Sequence, residues 1–161
     1  MDKKKINKTN AARVLEFLKI DFELRTYDVE GEHQTAEEVA EAIGVRPDLI
    51  YKTLVLKGQK DPFIVAVIPS DAHLDLKKIA KASGNKNCEM LPMKDLLSTT
   101  GYIRGGCSPI GMKKLFPTYI EEMATLEEKI IISAGKKGLQ IVINPQDLIK
   151  VIQGEFVDLV L

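Results

Sequence analysis

Apolar and polar positions along the chain change period several times, and each change marks an element. The clearest stretch is 51–69. Two apolar runs, 54–56 and 63–68, flank a polar break holding Gly58 and Pro62, which predicts two strands joined by a short turn. The second run is apolar at consecutive positions, so its strand is expected to be buried on both faces. Earlier, Ala11, Val14, Leu15 and Leu18 recur at helical spacing, predicting a helix over 7–18 with Thr9 or Asn10 as N-cap. Alternation over 22–27 predicts a strand, and 29–34 reads as a loop. Thr35-Ala-Glu-Glu has the form of a capping box, with Glu38 three residues after Thr35. It opens a helix burying Val39, Ala40 and Ile43 and stopping at Gly44. Arg46-Pro47-Asp48 starts a short helical turn leading to Tyr51.

Downstream, 71–83 predicts a helix with Leu74, Leu76, Ile79 and Ala80 inward and Gly84 closing it. A short strand over 88–91 and a Pro-led helical turn over 92–97 follow. Strands are expected at 116–121, 129–134 and 139–143, the last two separated by Gly135-Lys-Lys-Gly138. A helix should run from Asn144 to Ile152, with a last strand over 156–161. Strands outnumber helices and do not alternate with them regularly, which argues for an α+β fold. A single domain over 9–161 is expected, with 1–8 a loose, lysine-bearing end.

Composition narrows the class without naming it. Apolar content of 45% with 29% charged residues fits a globular chain that can bury a core. Lys plus Arg equals Asp plus Glu at 23 each, so net charge gives no argument for nucleic acid, although a local basic patch stays open. No apolar run is long enough for a membrane span, and the start lacks the apolar segment of a signal peptide. Two cysteines and two histidines make neither a disulfide framework nor a four-ligand metal set. A cytoplasmic, cofactor-free and metal-free protein is the expectation.

Three pieces could carry chemistry. Lys52 sits where the first central strand begins, and a lysine there needs water, a partner or a ligand. It is either a strand-end lysine reaching solvent or an anion binder at a pocket rim. Residues 99–111 hold Gly101, Gly105, Gly106 and Gly111, so the backbone there needs positive φ or close approach by another group. That loop is either a tight connection or an anion-binding nest, and it matches neither nucleotide-binding glycine pattern. Residues 133–138 are either an ordinary hairpin turn or, with the first glycine loop, the second wall of a cleft. Lys113, Lys114, the turn lysines and the 77–81 face would attract a phosphate backbone. Cys107 as nucleophile, or a Ser108–His73–acid triad, can be written down, but nothing in the sequence places those side chains together.

Taken together, Tyr51-Lys-Thr-Leu, Leu74-Asp-Leu-Lys-Lys, the stretch 100–114 and Ser133-Ala-Gly-Lys-Lys-Gly-Leu resemble the YbaK/EbsC family of aminoacyl-tRNA deacylases, over about 9–160. The resemblance is closest to the branch that clears cysteine from proline tRNA and also acts on cysteinyl-tRNA. It implies a compact mixed-sheet, barrel-like core with surrounding helices, and the aminoacyl ester at the tRNA 3′ end as substrate. Lys52 would match the key lysine, near the terminal adenosine or its phosphate. Tyr27 and Thr53 would match pocket residues. Gly105, Gly106, Ser133 and Ala134 would border the aminoacyl group through their backbones, with Ser108, Gly135 and Gln140 also in the substrate site. Gln140 stands where some relatives have aspartate, and an amide cannot serve as a base. In this branch the nucleophile is the substrate's own thiol, and prolyl-tRNA synthetase is the implied partner that selects tRNA. Two other readings stay open: editing of another ester such as Ala-tRNA(Pro) by water attack, or a non-catalytic module binding aminoacyl-tRNA or a synthetase.

Overall fold

The computed structural model describes residues 8–27 and 36–161; the expected loop over 29–34 and the Thr35 cap lie outside them, as do residues 1–7. Among the described residues, eight strands form two sheets. Strands β1 (Glu23–Thr26), β6 (Ile130–Lys136) and β7 (Leu139–Ile143) make an antiparallel sheet in the order β1-β7-β6. Strands β2 (Tyr51–Gly58), β3 (Ile64–Pro69), β4 (Cys88–Met90), β5 (Thr118–Glu121) and β8 (Glu155–Val157) make a mixed sheet in the order β4-β2-β3-β5-β8. Its β3–β5 and β5–β8 pairs are parallel. A parallel bridge between Ile50 and Ile131 joins the two sheets, and β2 lies against β6 beyond it. The result is the mixed α+β, barrel-like core that the sequence pattern and the resemblance imply.

The uninterrupted apolar run of β3 is explained by what covers it. Val65 and Val67 face the main core, where Leu15, Tyr51, Ile120, Ile132 and Ile141 meet between the sheets. Ile64, Ala66 and Ile68 face a second cluster under helix α3 (Leu76–Ser83) with Ile79 and Leu159. Helices α1 (Asn10–Phe17) and α5 (Pro145–Ile152) supply Leu15, Leu148 and Ile152 to the main core. Thr9 is the N-cap of α1, its hydroxyl accepting from the Ala12 N–H. Helix α2 (Ala36–Ile43) covers the outer face of the three-stranded sheet, Val39 and Ala40 packing on Ile50, Ile131 and Val142.

Several boundaries differ from the pattern for physical reasons. The helix expected over 71–83 begins only at Leu76. Asp75 caps it, accepting from the Lys77 and Lys78 N–H groups, and Leu74 is taken by an antiparallel bridge to Val160. Leu76, expected inside, is 42% exposed in consequence. β5 begins at Thr118, just after Pro117, which has no N–H to give a ladder. A helix α4 (Leu96–Thr100) extends the Pro-led turn, and Gly101 ends it at φ +88°.

One buried carboxyl group links two segments of this frame. The Glu121 side chain is 1% exposed, and its two oxygens accept from the Leu159 and Met123 N–H groups at 2.8 and 2.9 Å. Glu121→Ala leaves both donors without this acceptor and is expected to lower unfolding free energy by about 3 kcal/mol. Urea titration followed by circular dichroism checks this; a midpoint unchanged from the parent would show these bonds to be dispensable.

Candidate active site

Strand alternation sorts the proposed residues. Arg25 and Ser133 both pair with Gln140, so the three share the outer face of the three-stranded sheet. Tyr27 continues that face. Its N–H donates to the Gly138 carbonyl at 3.0 Å, and it packs against the cluster of Val39, Ala40, Ile50, Ile131 and Val142. The Ile50–Ile131 bridge then sets the phase of β2. Two residues on, Lys52 and Ser133 fall on that same side. Tyr27, Lys52, Ser133 and Gln140 thus converge at the seam between the sheets. The face continues into a cavity of about 500 Å³ lined by Arg25, Val45, Leu49, Lys129, Ile131 and Val142 among others.

Lys52 is half-buried, and its ammonium donates to the Ser70 carbonyl at 3.2 Å. It makes no ion pair among the described residues, so a cation with donor capacity left is held on a wall of the site. Burial lowers its pKa below the ordinary lysine value, opposed by the charge of Asp71. Gln140 is 7% exposed, and its Oε1 is buried with no hydrogen-bond partner among the described residues. Such an acceptor is costly to leave empty and is suited to a donor that arrives with a ligand. Ser133 Oγ accepts from the Gly135 N–H at 3.1 Å, which leaves its own proton to donate. Between Ser133 and Lys136 the β6–β7 register shifts, so Ala134 and Gly135 have no partner in that ladder.

The two glycine-bearing loops touch. A Cβ on Gly106 would lie 2.8 Å from Lys136 Cα, so only glycine allows this approach. The Gly106 N–H is spent on the Ile103 carbonyl at 3.0 Å, while Gly105, at φ +85°, lies against the Lys137 side chain. Tyr102 stiffens the first loop from within, its hydroxyl donating to the Ile110 carbonyl at 2.6 Å and its ring filling the space beside Gly135.

Other proposed residues sit elsewhere. Thr53 alternates onto the opposite face of β2 from Lys52, toward Tyr51 and Val55; its Oγ1 is buried with no partner among the described residues. Ser108 is fully buried, and its Oγ accepts from the Ile110 N–H at 3.2 Å. No hydrogen bond joins it to His73 among the described residues, and the His73 carbonyl instead accepts from Leu161. Cys107 is buried beside Val55 and Tyr102, and burial pushes its thiol up to about 11. It is a protonated core thiol at neutral pH and a poor nucleophile. Cys107→Ala is accordingly expected to keep deacylation within about threefold of the parent, read as initial rates; a loss near a hundredfold would make the thiol a participant. Arg25 was not among the sequence candidates. Its guanidinium donates to the Ile43 carbonyl at 3.1 Å and ties the end of α2 to the site. Its only sequence signal is its alternation with Tyr27.

This face, with its half-buried ammonium and buried amide acceptor, lies within a domain of known kind. Residues 30–151 match the model of the aminoacyl-tRNA editing domain, and the chain belongs to that family of deacylases. It is 51% identical over 157 residues to EbsC of Enterococcus faecalis, a protein named for Cys-tRNA(Pro)/Cys-tRNA(Cys) deacylation, covering 98% of this chain and 96% of that one. A segment of 82 residues is 33% identical to proline–tRNA ligase of Thermosipho africanus, covering 51% of this chain and 14% of the ligase. The fold is shared with a solved structure described as a trans-editing enzyme for prolyl tRNA synthetase (TM-score 0.83, 22% identity, 97% of this chain and 99% of that one). Among the described residues no helix is long and apolar enough to cross a membrane.

Proposed function

We propose that this protein removes cysteine from Cys-tRNA(Pro), and from Cys-tRNA(Cys), with the substrate's own thiol as nucleophile. The observation that carries the reading is the Lys52 ammonium, half-buried, in no ion pair among the described residues and on one face with Ser133 and Gln140. Its free donors suit the terminal phosphate or ribose next to the scissile ester. The Gln140 oxygen can accept from the α-ammonium of the aminoacyl group, and the backbone around Gly105 and Ala134 borders its carbonyl. In the step itself the cysteine sulfur bonds to its own carbonyl carbon, and the carbon–oxygen bond to the ribose breaks. The ribose oxygen keeps the electron pair and takes up the thiol's proton, giving a cyclic thiolactone and tRNA with a free 3′ end. A protein that orients a substrate-borne nucleophile and stabilises its oxyanion needs no nucleophile of its own. Prolyl-tRNA synthetase is the partner this reading supplies for tRNA selection, in line with the segment shared with proline–tRNA ligases.

The test compares cysteinyl-, seryl- and alanyl-tRNA(Pro). Cysteine is expected to leave at least tenfold faster than serine, its near-isosteric thiol-free control. Serine and alanine leaving at the cysteine rate would mean water attack and overturn the thiol route. No loss of any ester would make the protein a binding module.

Charge at Lys52 also sets a pH limit. The ammonium binds anions only below its pKa, which burial lowers. The alkaline limb of kcat/KM, corrected for spontaneous ester loss, should therefore fall below the ordinary lysine range. In Lys52→Arg that limb should move upward, since guanidinium keeps its charge. A limb that stays in place in the arginine variant would assign it to another group.

A further inference from the structure

Charge in this net-neutral chain is segregated, and the fold brings one sign together. Residues 96–120 contain Arg104, Lys113 and Lys114 and no acid, and residues 129–146 contain Lys129, Lys136 and Lys137 and no acid. These two acid-free segments carry the two glycine-bearing loops that touch. Gly106 rests on the backbone of Lys136 and Lys137, and Gly105 lies against the Lys137 side chain. Arg104 is therefore brought beside two lysines distant in sequence. All three are exposed, and none has an ion-pair partner among the described residues. Along β6, Lys136 follows Ser133 across the register shift, at the turn end of the strand. Beside them Ile103 is 53% exposed, an apolar surface that a nucleobase can cover.

The other basic face singled out in the sequence differs. Lys78 on α3 is paired with Asp158 at 3.0 Å and also donates to the Val160 carbonyl. Acids are thus interspersed there, whereas among the described residues the two rim segments carry only positive charge.

We propose that Arg104, Lys136 and Lys137 form the docking rim for the phosphodiester backbone of the tRNA acceptor end. Joined to the deacylase reading, on which its functional meaning rests, the rim holds the strand just behind the aminoacylated terminus while Lys52 takes the terminus itself. Two glycines make this possible. A side chain at 106 would push the loops apart and separate Arg104 from the lysines.

The test uses uncharged tRNA(Pro), so that binding is read without turnover. Arg104→Glu, Lys136→Glu and Lys137→Glu are combined in one variant, with circular dichroism to verify folding, and Lys77→Glu with Lys81→Glu serves as the comparison. Fluorescence anisotropy is measured across salt concentrations. The rim variant should bind at least tenfold more weakly. Its slope of log affinity against log salt should flatten by about two, since each lost phosphate contact removes about 0.7 to 0.9. In steady-state deacylation of Cys-tRNA(Pro), KM should rise by a similar factor. Unchanged affinity and slope would overturn the proposal, as would an equal loss in the α3 variant, which would mean net charge alone matters. A defect confined to binding prolyl-tRNA synthetase would overturn it in favour of a protein partner. A parent protein that binds tRNA through this rim but cleaves no ester would sustain the dock while removing the deacylase reading.

Discussion

Lys52→Ala should reduce kcat/KM for Cys-tRNA(Pro) by at least about 100-fold while leaving thermal unfolding nearly unchanged. Removal of one preorganised charge from a shielded site typically has that effect. The stability half follows from surroundings. The ammonium makes one hydrogen bond, to the Ser70 carbonyl, and no ion pair among the described residues. The neighbouring strand contacts are made by backbone and by Tyr51 and Val55, which alanine does not disturb. Burial already disfavours the charged form, so the folded state gains little from the lysine. On the proposed reading, the lysine contributes through what it binds and not through stability. Near-full turnover in Lys52→Ala would remove it from the site, and a loss matched by a large drop in melting temperature would make its role structural.

The second large effect should come from adding a single methyl group. In Gly106→Ala the new Cβ meets the Lys136 Cα at 2.8 Å and the Lys137 backbone nitrogen at 3.1 Å. Backbone atoms cannot swing away as a side-chain tip can. The loop or the β6–β7 turn must shift, with a strain of about 1–3 kcal/mol in stability. Displacements near 1 Å at a positioning wall lower rates on the order of 100-fold, so deacylation should fall by about that factor. Gly105→Ala is the comparison. There the added methyl meets mainly the far end of the Lys137 side chain, although φ +85° adds backbone strain. Its activity loss should be smaller at comparable destabilisation. Initial rates together with urea midpoints for both variants decide the matter; equal rates in Gly106→Ala and the parent would show that the contact between the loops does not shape the site.

What the sequence revealed and what it hid follow a physical division. Alternation and apolar runs respond to local burial, so the β2–β3 pair, the β6–β7 pair and the caps of α1 and α5 were legible. The late start of α3 was not, because it depends on Leu74 being taken by Val160, far away in the chain. The site divides likewise. Lys52 stood out as a charge entering an apolar strand, and the glycine clusters announced unusual backbone. That Gly106 seats on Lys136, or that Ser108 turns its hydroxyl inward to Ile110, are facts of tertiary packing without a local signal. Thr53, a pocket residue by the resemblance, has a placement that strand alternation alone gives. Next to Lys52 in sequence, it points to the other face of the strand. Arg25 is similar, since alternation with Tyr27 already placed it on the site face.

The pairing of β1 with β7 bears on how the molecule comes into being. Among the described residues Glu23–Thr26 has one neighbour in its sheet, a strand made much later in synthesis. The Ile50–Ile131 seam has the same long delay between its halves. A topology of such distant pairings folds slowly, because large loops must close before their contacts compensate. During synthesis the β1 edge and the outer face of this sheet stay open until β6 and β7 arrive. The nascent chain is thus exposed to mispairing at the face proposed as the site.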